Sequence, residues 1–117
     1  MLFRSGRFGA HSVNESFDPV YYGKLTFVSY FNAGVRALDV RDPFNPKEVG
    51  HYIPPRSDRT QPTCTLEAGK PPTGCKTAIQ TNNVETDARG YIYAVDRAGT
   101  GMHILQLSGD AKAIAGK

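Results

Sequence analysis

Residues 25–54 read LTFVSYFNAGVRALDVRDPFNPKEVGHYIP, and three short strand patterns are visible in them. Two turns separate these patterns, the tripeptide Asn32-Ala33-Gly34 and the proline-rich stretch 41–46. Glycine adopts positive φ in tight turns, and proline cannot donate a ladder hydrogen bond. Residues 25–30 are apolar or β-favouring on both faces, which predicts an inner strand. The connections predict that consecutive strands run antiparallel.

A first strand in HSVNESF, residues 11–17, completes a four-stranded meander, and a weaker copy follows in residues 81–107. In this copy Asn82-Asn83-Val84 matches His11-Ser12-Val13, but the last strand is missing. Repeated meanders of this kind predict an all-β fold built like two β-propeller blades. We expect one domain over residues 1–117, with units at about 9–54 and 80–109. Residues 108–117 are expected to form a frayed tail or a short closing strand.

Residues 55–79 separate the two units and show neither helical nor strand periodicity, so a long surface loop is expected. Cys64 and Cys75 both lie in this segment. Their spacing predicts a disulfide in an oxidising compartment, and two free thiols in a cytosolic loop are the alternative. A zinc site is disfavoured because no second Cys or His pair stands beside them at ligand spacing.

Composition bounds the classes of function. The chain has 117 residues, 39% of them hydrophobic and 21% charged, which favours one folded domain over a disordered chain. Its formal charge of +3 comes from Lys and Arg dispersed among Asp and Glu, so nucleic-acid binding is not expected. No apolar run is long enough for a membrane-spanning helix. The N-terminus also lacks the apolar stretch of a secretory signal.

His11, Glu15, Asn82 and Asn83 are the candidate ligand-binding residues. They lie at the starts of the two innermost predicted strands, where a propeller brings side chains of successive blades together around its axis. Such a set offers ligands for a metal or a polar molecule. In the competing interpretation, His11 only forms a backbone hydrogen bond at a strand start.

Catalysis has weaker support. Asp39, Asp42, Asp87 and Asp96 recur near strand ends, but Asp is a common turn residue because its carboxylate accepts backbone hydrogen bonds. No serine lies in a Gly-x-Ser-x-Gly elbow, and we assign no catalytic residue. No cofactor is predicted beyond the metal ion just considered.

The succession Gly-Val-Arg-x-Leu-Asp-Val-x-Asp-Pro-x-x-Pro, residues 34–46, resembles the repeat of LVIVD-repeat β-propeller proteins. Together with residues 80–107, it resembles the C-terminal blades of that family. The resemblance implies a propeller fold and an exported, extracytoplasmic or cell-surface location. It implies no particular activity, because most members of the family have none assigned.

A propeller closes with about four to eight blades, whereas this chain holds about two. Uncovered sheet faces predict a homo-oligomer that completes the ring, or else the remainder of a longer propeller. We therefore expect a non-catalytic interaction or scaffold module that binds a protein partner. The alternative is a ligand- or metal-binding propeller, with enzymatic activity as one version, whose shared axial pocket lies near His11 and Glu15. A truncated product without an independent role is a third hypothesis.

Overall fold

Short strands dominate the computed structural model of the chain, which describes residues 7–116. The elements are β1 (Phe8–Val13), β2 (Leu25–Phe31), β3 (Val35–Asp39), β4 (Lys47–Tyr52), β5 (Pro62–Thr65), β6 (Thr73–Thr77), β7 (Thr81–Thr86), β8 (Ile92–Asp96), β9 (Met102–Leu105) and the helix α1 (Gly109–Ala115). The prediction of an all-β chain of antiparallel meanders is confirmed.

Seven strands form one curled antiparallel sheet. Its order is β4-β3-β2-β7-β8-β9, and β1 pairs with β2 outside this path. We call β1 to β4 the first unit and β7 to β9 the second unit. The two units join where Phe31 of β2 pairs with Thr81 of β7. The units are therefore parts of one continuous sheet.

Strand β2 is an inner strand, as predicted. It pairs with β3 from Leu25↔Asp39 to Ser29↔Val35, and with β1 on its other side. The turn into β3 depends on Gly34, whose φ is +74°. A Cβ at this position would overlap the backbone carbonyl oxygen of Tyr52, so only glycine fits.

The expected loop between the units contains a hairpin, so that part of the prediction is wrong. Strands β5 and β6 pair antiparallel and form a separate two-stranded sheet. The disulfide between Cys64 and Cys75 joins them, which confirms the predicted pairing. Side chains of both strands are almost all exposed, so no apolar alternation marks them in the sequence.

The expected tail or closing strand is also wrong, because residues 109–115 form α1. The helix ends at Gly116, whose left-handed backbone (φ +79°) suits glycine. Ala111 and Ala115 lie one turn apart and are buried. The helix packs against β2, β3 and β4. It covers the core face of the sheet instead of adding a strand to it.

One apolar core lies between the two units and α1. Leu25, Phe27, Val35 and Ala37 contribute from the first unit, and Val84, Ile92 and Ala94 from the second. Tyr21 closes this core from the segment before β2, and its ring packs edge-on against Phe27 with the centroids 4.9 Å apart.

No helix among the described residues has the length and apolar character needed to cross a membrane.

Candidate functional site

His11 and Asn82 meet where β1 lies against β7. The backbone carbonyl of Asn82 accepts three side-chain hydrogen bonds, from His11 Nδ1 (2.8 Å), Ser12 Oγ (3.0 Å) and Ser29 Oγ (2.6 Å). A carbonyl only accepts, so this contact assigns the ring proton of a neutral His11 to Nδ1. The second nitrogen, Nε2, lies 3.4 Å from Arg97 Nη2.

Asn83 lies beside this contact. Its side-chain oxygen accepts a hydrogen bond from the side-chain amide of Asn82, Nδ2. The side-chain oxygen of Asn82 is buried and has no hydrogen-bond partner among the described residues. The structure therefore brings His11, Asn82 and Asn83 close together. Their contacts with one another are hydrogen bonds to backbone and amide groups.

Glu15 lies beyond the end of β1, and its backbone contacts β7. Its N–H donates to Glu85 Oε2 at 3.0 Å. The other Glu85 oxygen accepts from the backbone N–H of Ser16 (3.1 Å) and from Ser16 Oγ (2.5 Å). Partial burial acts to raise the pKa of Glu85, but these hydrogen bonds and one from the Thr86 amide lower it. Through these hydrogen bonds, Glu85 of β7 holds the segment that follows β1 in place.

The described residues hold no group of three or more His, Cys, Asp or Glu side chains that could bind a metal ion. His11 is also not paired with a serine nucleophile, since its ring nitrogens contact the Asn82 carbonyl and Arg97. The arrangement around His11 supplies hydrogen-bond donors and positive charge.

Phe31 lies at the centre of a cluster that sequence analysis missed. Its ring centroid is 4.9 Å from that of His11 and 5.3 Å from the guanidinium carbons of both Arg7 and Arg97. Phe31 also has a positive φ of 51°, which is uncommon for a bulky residue. Arg7 and Arg97 are 90 positions apart in the chain, so no local sequence pattern predicts that both contact the ring of Phe31.

The four aspartates serve as turn residues, as expected. Asp39 accepts from the Arg41 amide and Asp42 from the Phe44 amide, each through a carboxylate oxygen. Asp96 accepts from the backbone N–H groups of Gln80, Ala98 and Thr100.

Asp87 has the densest set of donors among these aspartates. It accepts from the amides of Arg89 and Tyr91, the Arg89 guanidinium and the Tyr93 hydroxyl. Partial burial acts to raise the pKa of Asp87, but these hydrogen bonds lower it to about 2. Asp87 is therefore an ionised structural group at neutral pH.

The β5–β6 hairpin is fixed at its base and exposed beyond it. Gln80 Nε2 donates to Thr63 Oγ1 (2.7 Å), and Arg56 Nη1 donates to the carbonyl of Thr77 (3.0 Å). Leu66, at the hairpin's connection, is 77% exposed. The disulfide between Cys64 and Cys75 constrains this exposed loop.

One face of β8 and β9 carries exposed apolar side chains. Val95 pairs with Met102 and Tyr93 with Ile104, so these four residues share a face, which we call the outer face. Val95 is 44% exposed, and Met102 and Ile104 are each 58% exposed. The opposite face of β8 buries Ile92 and Ala94 in the core. A group of exposed apolar residues on one sheet face is typical of an interaction surface.

A cleft of about 400 Å³ opens between β4, the end of β9 and the start of α1. Its walls are apolar at Val49, Leu105 and Ala111, and Phe27 contributes to its lining. Neither His11 nor Glu15 lines it. The cleft is therefore separate from the predicted axial pocket.

No family model matches this chain, and neither a curated protein nor a solved structure matches it. The resemblance to LVIVD-repeat proteins therefore stays a prediction based on the residues quoted above.

Proposed function

We propose that the chain is a non-catalytic interaction or scaffold module, a part of a β-propeller completed by further sheet units. In the isolated chain, a second copy supplies these units and the assembly is a homo-oligomer. In a longer protein, the remaining blades take the same place. The single observation that carries the proposal is the exposed apolar outer face, with Val95, Met102 and Ile104 open to solvent.

The physical argument concerns the free energy of burial. Covering apolar surface contributes roughly 25 cal/mol per Å² removed from water. In stacked sheet units, each unit covers the apolar face of its neighbour, which is why such repeats need several members. The second unit has a neighbour on its core face, and its outer face is where a further sheet would pack.

The repeat resemblance and the disulfide support a related proposal, membership of the LVIVD-repeat family and an extracytoplasmic or cell-surface location. Disulfides such as that between Cys64 and Cys75 persist mainly in oxidising compartments. In this proposal the β5–β6 hairpin is the element displayed to a protein partner.

Size-exclusion chromatography coupled to light scattering tests the assembly. We expect the wild-type chain to form dimers to tetramers at micromolar concentration and to dissociate on dilution. The double variant Met102→Lys/Ile104→Lys is expected to be monomeric with an unchanged circular dichroism spectrum, because charged side chains would then be buried at the interface. The control is Phe44→Lys, since Phe44 is exposed in a distant turn and its replacement should leave the mass unchanged.

A wild-type chain that is monomeric at all concentrations would contradict self-association. So would equal masses for the wild type and the double variant.

A ligand-binding role near His11 is the second candidate. It is favoured by the convergence of His11, Asn82 and Asn83 at one end of the inner strands. The fourth candidate residue, Glu15, is held at β7 by the hydrogen bond that its backbone N–H donates to Glu85.

A further inference from the structure

Two arginines lie on one aromatic ring at the end of the inner strands. The guanidinium carbons of Arg7 and Arg97 are each 5.3 Å from the centroid of Phe31. The two guanidinium carbons can therefore be no farther from each other than twice this 5.3 Å distance. A guanidinium over an aromatic face is favourable, but two on the same ring also bring like charges together.

No carboxylate compensates these two charges within the described part of the chain. The ion pairs found there join Arg36 to Glu48, Arg41 to Asp39, Lys70 to Glu67 and Arg89 to Asp87. Asp96 is adjacent to Arg97 in sequence, but its oxygens accept backbone N–H groups of Gln80, Ala98 and Thr100. Both guanidiniums are thus left with N–H donors for an external group.

The surroundings of the ring are ordered by other contacts. His11 donates from Nδ1 to the Asn82 carbonyl and offers Nε2 to Arg97 Nη2. The backbone N–H of Asn32 donates to the carbonyl of Arg7 at 3.1 Å. Phe31 keeps a left-handed backbone between these contacts, and such strained residues cluster at ligand sites.

We propose that Arg7 and Arg97, held on Phe31, form a binding site for an oxyanion. The ligand class is a phosphate or carboxylate group, whose paired oxygens match the planar donor fork of arginine. The site lies at the strand end that carries His11, whereas the assembly proposed above uses the outer face of β8 and β9. Failure of one proposal therefore leaves the other unaffected.

Titration of the full chain with sodium phosphate, followed by ¹H–¹⁵N NMR, tests the site. Ionic strength is held constant with sodium chloride, so that general screening does not change. We expect saturable shifts of the backbone amides of Phe31, Asn32 and Arg97. Arg97→Gln and Arg7→Gln should each weaken phosphate binding at least tenfold.

Arg41→Gln is the matched control, because Arg41 already pairs with Asp39 and lies at the opposite end of β3. It should bind phosphate as the wild type does. A parallel titration with sodium acetate distinguishes the ligand classes. Saturation by phosphate alone indicates phosphate groups, saturation by acetate alone indicates carboxylates, and saturation by both indicates a general oxyanion site.

Shifts that grow linearly with both salts would overturn the proposal. Equal affinities in Arg97→Gln, Arg7→Gln and Arg41→Gln would also overturn it. The spectrum of each variant away from Phe31 reports whether the chain is still folded, so a loss of binding can be separated from a loss of structure.

Discussion

The equivalent strands β2 and β8 of the two sheet units differ in how many of their faces are buried. In the first unit, β2 buries Leu25 and Phe27 on the core face and Val28 on the other. In the second unit, β8 buries Ile92 and Ala94 on the core face but leaves Val95 44% exposed on the other. Strand β2 of the first unit is thus buried on both faces, whereas β8 of the second unit has one open face. This difference is the basis of the proposal that a further sheet packs against the second unit.

The units also end differently. The first unit ends in a fourth strand, β4, whereas the second stops at β9 and continues into α1. Although α1 follows the second unit in sequence, it packs on β2, β3 and β4 of the first. The C-terminal segment therefore seals the core between the units and leaves the outer face uncovered.

The largest expected effect is a change in the free energy of unfolding, and it distinguishes the buried core face from the exposed outer face. Phe27 is 1% exposed, so Phe27→Ala should destabilise the chain by about 3–5 kcal/mol through lost burial and a cavity. Val95→Ala, on the outer face, is the matched change in the second unit. In the dissociated chain it should stay within about 0.5 kcal/mol of wild type, as is usual for surface substitutions.

Urea unfolding at submicromolar concentration measures both variants. A Val95→Ala cost comparable to that of Phe27→Ala, in chains that are shown to be monomeric, would mean that the outer face is not open. The comparison between the units would then fail.

The first unit was easier to predict from sequence than the elements outside the meanders. Apolar residues on both sides of residues 25–30, followed by a glycine turn and a proline turn, are direct consequences of burial and backbone geometry. The hairpin escaped prediction because its strands are exposed on both faces and depend on a disulfide. Helix α1 escaped because its buried residues, Ala111 and Ala115, are too small to give a clear apolar period.

The candidate site was only partly predictable for a different reason. Aligning the two repeats brought His11 together with Asn82 and Asn83, because equivalent strands begin near each other. The hydrogen bond from Ser16 to Glu85 joins residues about 70 positions apart. The contacts of Arg7 and Arg97 with Phe31 bring together two arginines that are 90 positions apart. These contacts depend on how β1, β2 and β7 lie together in the folded chain, and no local pattern encodes that arrangement.

An intermediate effect is expected in the hairpin that connects the units. Changing both Cys64 and Cys75 to Ser removes a cross-link worth about 2–3 kcal/mol by the loop-entropy model. Few hairpin side chains are buried, so the loss should appear as local opening and should hardly alter the unfolding of either unit. Hydrogen exchange should accelerate strongly at residues 63–77.

Amides of β2 and β8 serve as internal controls in the same experiment, and their exchange should stay close to wild type. Equal acceleration in β2, β8 and the hairpin would show instead that the hairpin is needed to hold the two units together.

The smallest effect concerns one aspartate in each unit. The Arg41 side chain and amide lower the pKa of Asp39, and the pKa of Asp87 falls from 3.8 to about 2. A carboxylate with a lowered pKa stabilises the folded state above its unfolded pKa and loses that contribution as the pH falls through its folded pKa. Stability should therefore decline from about pH 4 toward pH 2, and Asp87→Asn should flatten this decline. Urea unfolding midpoints between pH 2 and pH 6 measure it.

Asp39→Asn is the matched variant from the first unit. It should flatten the decline less. Among residues 7–116, Asp39 accepts hydrogen bonds only from Arg41, whereas Asp87 accepts them from Arg89 and also from Tyr93 and the Tyr91 amide. If the two variants changed the slope equally, the extra donors around Asp87 would have no effect on acid stability. A slope left unchanged by Asp87→Asn would show that this turn keeps its hydrogen bonds when the carboxylate is protonated. Either result would remove the electrostatic difference between the two units and leave the open outer face as what distinguishes them.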